Sequence, residues 1–197
     1  MQTPKITIEQ AVLLLEQGEI VAFPTETVYG LGALASHSEA IAKIYQVKGR
    51  DPSKQLLLHA ADLEAIEPFI SMRPKFLDLL ARAFLPGPLT LILPAHPTLP
   101  WATIGIRIPS HPIAQELLQA LKEPLFATSA NLSGRTSPKT AADVFYELNG
   151  AIAGIIDGGD ATLGVASTIL DLTRPSPFWV REGAIPKEII RKILEAQ

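Results

Sequence analysis

Cysteine is absent from the 197 residues, which excludes disulfides, thiolate metal sites and a cysteine nucleophile. An excess of positive charge is also missing: 17 Lys and Arg stand against 20 Asp and Glu, for a formal net charge of -3. No global basic field advertises nucleic-acid binding, so any anion site must be a local cluster. Met1 to Lys5 carries no apolar signal core, and no apolar run approaches membrane-spanning length. The expectation is a cytoplasmic protein away from membranes. Gly158 and Gly159 lack the P-loop pattern, and no strand–glycine-loop–helix fits the dinucleotide fingerprint. No HExxH, Ser-His-Asp order or metal-ligand spacing occurs, so no protein-held metal is expected. Internal repeats, low-complexity stretches and linkers are lacking as well.

What is present begins with composition. Hydrophobic residues make up 47% of the chain, enough for one domain with a substantial core. The 17 prolines exceed average usage, and many fall at element ends, implying stiff connections around a shaped cleft. Apolar Ile20, Val21, Ala22 and Phe23 read as a short buried strand that Pro24 ends. Thr25, Glu26 and Thr27 follow at once, then Gly30 and Gly32, each able to bring bare backbone close to a ligand or a neighbouring strand. Hydroxyls, a carboxylate and glycines at a strand end are the usual layout of a binding site.

Along the chain, Thr7 and Gln10 have capping-box spacing ahead of a first helix closed by Gly18, and Ser36 and Glu39 repeat the spacing for a second. That helix runs into Lys48-Gly49-Arg50-Asp51-Pro52-Ser53-Lys54, a loop carrying three cations. Strands are predicted at Leu56–His59, Thr90–Leu93, Thr103–Ile108, Leu125–Ala127, Ile155–Ile156, Ser167–Leu172 and Phe178–Arg181. Helices are predicted from Pro74, Ser110, Thr140 and Pro186. Strands and helices interleave with short strand-to-strand connections. The predicted fold is a single α/β domain, an open twisted mixed parallel and antiparallel sheet flanked by helices.

Several strand ends deliver polar residues in the same way, namely Thr25 to Thr27, His59, Thr103 with Arg107, Ser129 to Asn131, Ser167 and Arg181. Their cations and hydroxyls suit an anionic ligand with several oxygens, such as a nucleotide. Each has a plainer use. Lys48 and Arg50 alone read as a solvated helix C-terminus, Ser129 and Asn131 as loop satisfiers, and His59 as a satisfied core histidine. Arg107 in an apolar strand is harder to dismiss, because an inward arginine needs a partner or a ligand. The residues by themselves support an anion-binding cleft and leave the reaction open.

Four motifs in order, Pro24-Thr25-Glu26-Thr27-Val28-Tyr29-Gly30-Leu31-Gly32, Lys48-Gly49-Arg50, Pro86-Gly87-Pro88-Leu89-Thr90 and Ser129-Ala130-Asn131-Leu132-Ser133-Gly134, resemble the YrdC family of threonylcarbamoyl-AMP synthases. The Lys-x-Arg and Ser-x-Asn pairs are that family's signature, and the likeness runs over nearly the whole chain. The resemblance implies that L-threonine, bicarbonate or CO2, and ATP give threonylcarbamoyl-AMP and pyrophosphate. Partner proteins then transfer the threonylcarbamoyl group to tRNA. It implies a catalytic signature of Lys48, Arg50, Ser129 and Asn131. Threonine is expected at Thr27, His59, Arg107, Ala127 and Ser167, and nucleotide at Arg50, Lys54, Thr103, Ser129, Ser137 and Arg181. Magnesium is expected only as carried by ATP. Lys54 stands where relatives often have Asn. A catalytic domain over 1–197 is expected, without the extra C-terminal domain of longer homologues. The competing reading is an RNA-binding or ribosome-maturation module of the same fold.

Overall fold

Thr7 starts the first helix as its spacing predicts. Its hydroxyl accepts from Gln10 N while the Gln10 side chain accepts from Thr7 N, a reciprocal cap on α1 (Ile8–Glu16). The computed structural model describes residues 2–196. A short strand, β1 (Lys5–Ile6), precedes α1. After it β2 (Val21–Phe23) ends at Pro24, and the chain returns as β3 (Gly30–Leu34). Neither β1 nor β3 is predicted from sequence. For β3 the reason is its glycines, which weaken any strand signal. A Cβ on Gly30 or on Gly32 would sit 3.0 Å from the Phe23 ring, so both are set by close packing against that side chain.

α2 (Ser38–Lys48) departs from expectation at its start. His37 is the N-cap without a side-chain bond, and Ser36 donates its N–H and its hydroxyl to the Glu123 carboxylate instead. The Ser36–Glu39 capping box is therefore not formed: a distant carboxylate takes its first partner. Next come β4 (Leu57–His59), a 3-10 helix (Glu64–Phe69) and α3 (Leu77–Phe84), which begins later than Pro74. β5 (Leu89–Pro94), β6 (Thr103–Arg107), α4 (Pro112–Leu121) and β7 (Leu125–Ser129) follow. α5 (Ala141–Leu148), capped reciprocally by Thr140 and Asp143, leads to β8 (Gly154–Ile156), β9 (Thr168–Asp171), β10 (Phe178–Arg181) and α6 (Lys187–Glu195).

The strands form one ten-stranded mixed sheet in the order β1-β8-β2-β3-β7-β4-β6-β5-β9-β10. Alternation divides its side chains between two apolar layers. Ile20, Ala22, Leu31, Ala33, Leu58, Ile106 and Phe126 pack against α2, α3, α5 and α6. Val21, Phe23, Leu34, Leu125 and Ala127 point the other way, toward α1 and α4. On that second face the central strands carry small residues. Gly32 pairs with Ala127, Ala127 with Leu57, and Leu57 with Gly105. Glycine and alanine leave Leu57 as the one large side chain of that row, and a cleft opens over Leu57 and Ala127.

Candidate active site

The cleft has a volume of about 270 Å³ and is floored by Gly30, Leu57 and Ala127. One cross-strand row supplies two of its polar groups, His59 paired with Arg107, and Arg107 pairs in turn with the buried Thr90. Predicted positions that line it are Arg50, His59, Arg107, Ala127, Ser129, Ser137, Ser167 and Arg181. The structure thus brings together four residues expected at the nucleotide and four expected at threonine.

Others lie apart. Thr103 shares the Arg107 face, yet it pairs with Pro94 at the opposite end of β6, about 13 Å along the strand. Lys54 is exposed and outside the cleft lining, and it meets the site only through its backbone oxygen, which accepts from Arg50 Nε at 2.9 Å. Thr27 is fully buried inside the turn. Thr25 Oγ1 donates to Val28 O at 2.6 Å, so Thr27 Oγ1, 2.9 Å from Thr25 Oγ1, must be the donor between the two hydroxyls.

The signature residues hold backbone. Lys48, only 3% exposed, donates its ammonium to Ser129 O and Asn131 O. Asn131 donates to Leu132 O at 2.9 Å and Arg135 O at 2.8 Å, closing the loop after β7. Arg50 latches its own loop through Lys54 O and Gln55 O, each at 2.9 Å. Arg50 and Ser129 are the signature residues that line the cleft. Arg50→Ala is expected to lose the latch along with a cleft cation. Catalytic efficiency should drop at least roughly tenfold, the worth of one charge-assisted contact. Arg50→Lys should rescue only part, since a point charge cannot span two carbonyls. Unchanged turnover in folded Arg50→Ala would remove Arg50 from the site.

Electrostatics sharpen the picture. Burial first, then the Arg107 charge, pushes the His59 pKa down to about 3, against a bond to Leu57 O that raises it. His59 is therefore neutral at physiological pH. Its Nδ1 lies 3.3 Å from Leu57 O, and because a carbonyl only accepts, the proton sits on Nδ1 and Nε2 is left as an acceptor. Arg107 is held down mainly by burial and held up by Glu26, whose Oε2 is 3.0 Å from Arg107 Nη2. Arg181 donates to Ser167 O from Nε at 3.1 Å and from Nη2 at 2.8 Å, and Ser167 Oγ meets Thr90 Oγ1 at 2.7 Å. The sequence alone places Glu26 in the candidate binding stretch without naming its partner, and it assigns no role to Thr90. The signal for Glu26 was the unpartnered arginine itself, since a buried guanidinium asks for a nearby carboxylate.

Fold and cleft together define an open-sheet α/β protein with a cleft lined by cations and hydroxyls. The family model Sua5_yciO_yrdC, described as "Telomere recombination", matches residues 13–183, and the chain belongs to that family. The threonylcarbamoyl-AMP synthase of Bacillus subtilis (strain 168) is 44% identical over 194 residues, covering 95% of this chain and 56% of the relative. The crystal structure of Pyrococcus abyssi Sua5 complexed with L-threonine superimposes with a TM-score of 0.92 at 41% identity, over 95% of this chain and 57% of that one. Escherichia coli YciO gives 0.80 at 30% identity over 92% and 93% of the two chains. The chain thus spans little more than half the length of the Bacillus subtilis and Pyrococcus abyssi synthases.

Proposed function

We propose that this domain makes threonylcarbamoyl-AMP. The threonine amine adds to CO2, directly or from bicarbonate with loss of hydroxide, to give a carbamate and release a proton. A carbamate oxygen then attacks the α-phosphorus of ATP, and pyrophosphate leaves. The observation that carries the reading is that one cleft joins the His59–Arg107–Ser167 group to the Arg50–Ser129–Ser137–Arg181 group. Arg107 is the seat of the threonine carboxylate, with Ala127 beneath its apolar part. Arg50, Ser129, Ser137 and Arg181 hold nucleotide, while Lys48 and Asn131 keep the backbone around Ser129 in place. Thr27, Thr103 and Lys54 would act from farther off: through the Thr25 turn, at the far end of β6 and through the Arg50 loop.

The chemistry suits such a site. ATP, the carbamate and the threonine carboxylate are all anions, and crowding them is costly without preorganised cations. Adenylyl transfer asks mostly for alignment and charge stabilisation, which needs no protein nucleophile. Among the described residues no three His, Asp or Glu side chains converge on a point. Magnesium carried by ATP would be held by phosphate oxygens, where it supplies charge neutralisation. No helix of the described residues is long and apolar enough to cross a membrane. The proposal places the domain in the cytoplasm, handing its adenylate to proteins that modify tRNA. The RNA-binding reading gains nothing from a deep cleft of this size.

The test is pyrophosphate release with each component omitted in turn, with mass detection of the adenylate. Threonine and bicarbonate should both be required, and serine should serve poorly, a missing methyl being worth about 1–3 kcal/mol. Release indifferent to threonine, or none in the complete mixture, would overturn the synthase reading.

A further inference from the structure

Glu26 sits at the heart of the Pro24–Gly32 stretch, and nothing in the reaction above uses it. Its position is built from both sides. The turn that carries it is closed by Thr25 Oγ1, which bonds Val28 O at 2.6 Å and accepts from Thr27 N at 3.3 Å. Its own backbone oxygen accepts from Leu163 N at 2.8 Å and Thr162 Oγ1 at 3.3 Å. The carboxylate so fixed is 8% exposed and touches Arg107, itself 6% exposed, at 3.0 Å. That contact is an ion pair without hydrogen-bond alignment. Glu26 Oε1 and Oε2 and Arg107 Nε and Nη2 are all buried without a hydrogen-bond partner. Arg107 meanwhile lines the cleft. Its guanidinium bridges a buried carboxylate on one side and the ligand space on the other.

A ligand carboxylate arriving at Arg107 is therefore the second anion on one guanidinium. We propose that Glu26 is an internal counter-ion that determines specificity: it neutralises the Arg107 seat in the empty cleft. Small anions then gain too little from charge alone to lodge there. A carboxylate ligand must add contacts to His59, Ser167 and Ala127 before it binds. The inference rests on Arg107 as the carboxylate seat of the proposed synthase. Its physical basis is linkage, since like charges sharing a cation weaken each other's binding reciprocally.

The probe is acetate, a carboxylate with nothing else to recognise, against chloride at matched ionic strength. Wild type should show no melting shift with acetate beyond that with chloride. Glu26→Gln should melt lower without ligand, recover with acetate, and bind L-threonine in calorimetry roughly five- to tenfold more tightly than wild type. Glu26→Asp, which keeps the charge but withdraws it by one methylene, should move the same way by less, and it decides the matter if the glutamine variant does not fold. A merely structural Glu26 would lower the melting temperature without creating an acetate response. Equal or weaker threonine binding in the variants, or acetate responses like wild type, overturns the proposal. Failure of wild type to bind threonine sinks the synthase reading instead, while the acetate comparison still reports on Glu26.

Discussion

Arg107→Ala is expected to destabilise the protein by about 3–5 kcal/mol, the cost of leaving one member of a buried ion pair uncompensated. The orphan is Glu26, 8% exposed and without hydrogen-bond partners of its own. For a chain of 197 residues, that loss lowers the melting temperature by roughly 10 °C. The variant should also lose threonine: KM for threonine rises far more than KM for ATP, as removal of a carboxylate partner predicts. Stability and binding separate in the double variant. Glu26→Gln with Arg107→Gln replaces an ion pair by a neutral amide pair of similar shape. Most of the stability should return, while threonine binding should not. A double variant no more stable than Arg107→Ala in urea unfolding would mean that the pair is not the source of the loss.

That pair also shows how far the sequence could be read. The mixed sheet, most helix starts and the polar strand ends were legible because apolar periodicity, prolines and capping spacings are local signals. Gly30 and Gly32 concealed β3, because a strand made of glycines looks like a loop until Phe23 is seen lying over them. Ser36 and Glu39 had a cap's spacing, but Glu123, far along the chain, takes Ser36. Alternation put Thr103 and Arg107 on one face correctly, yet spacing along β6 carries Thr103 out of the cleft. The signature pairs were legible as a motif. Their action on loop carbonyls was not, since hydrogen bonds between residues 81 and 83 positions apart leave no trace in local pattern.

Lys48 carries the last prediction. Its ammonium is buried and its stem ends α2, while Ser133 N returns a bond to Lys48 O at 2.8 Å, so helix and loop are tied in both directions. Burial first, then the Arg50 charge, lowers its pKa from 10.5 to about 8, with Glu147 pulling the other way. The folded pKa lies below the unfolded one, so between pH 8 and 10.5 the unfolded chain holds more protons and stability rises with pH. Below that window both states are protonated and the burial cost stands in full, at most about 3 kcal/mol, because both carbonyl acceptors favour the ammonium. Lys48→Met removes the titration and the two bonds together. At pH 7 these changes oppose, and the net loss of stability should be about 0–3 kcal/mol. The stability difference between wild type and variant should then widen with pH across the window. ATP use should suffer at every pH, because the backbone around Ser129 loses its anchor, and KM for ATP should rise roughly tenfold. Urea unfolding at pH 7, 9 and 10.5 gives the first quantity and pyrophosphate release the second. Stability curves that run parallel for the two proteins would show that the ammonium reaches water, and Lys48 would then revert to a solvated helix end.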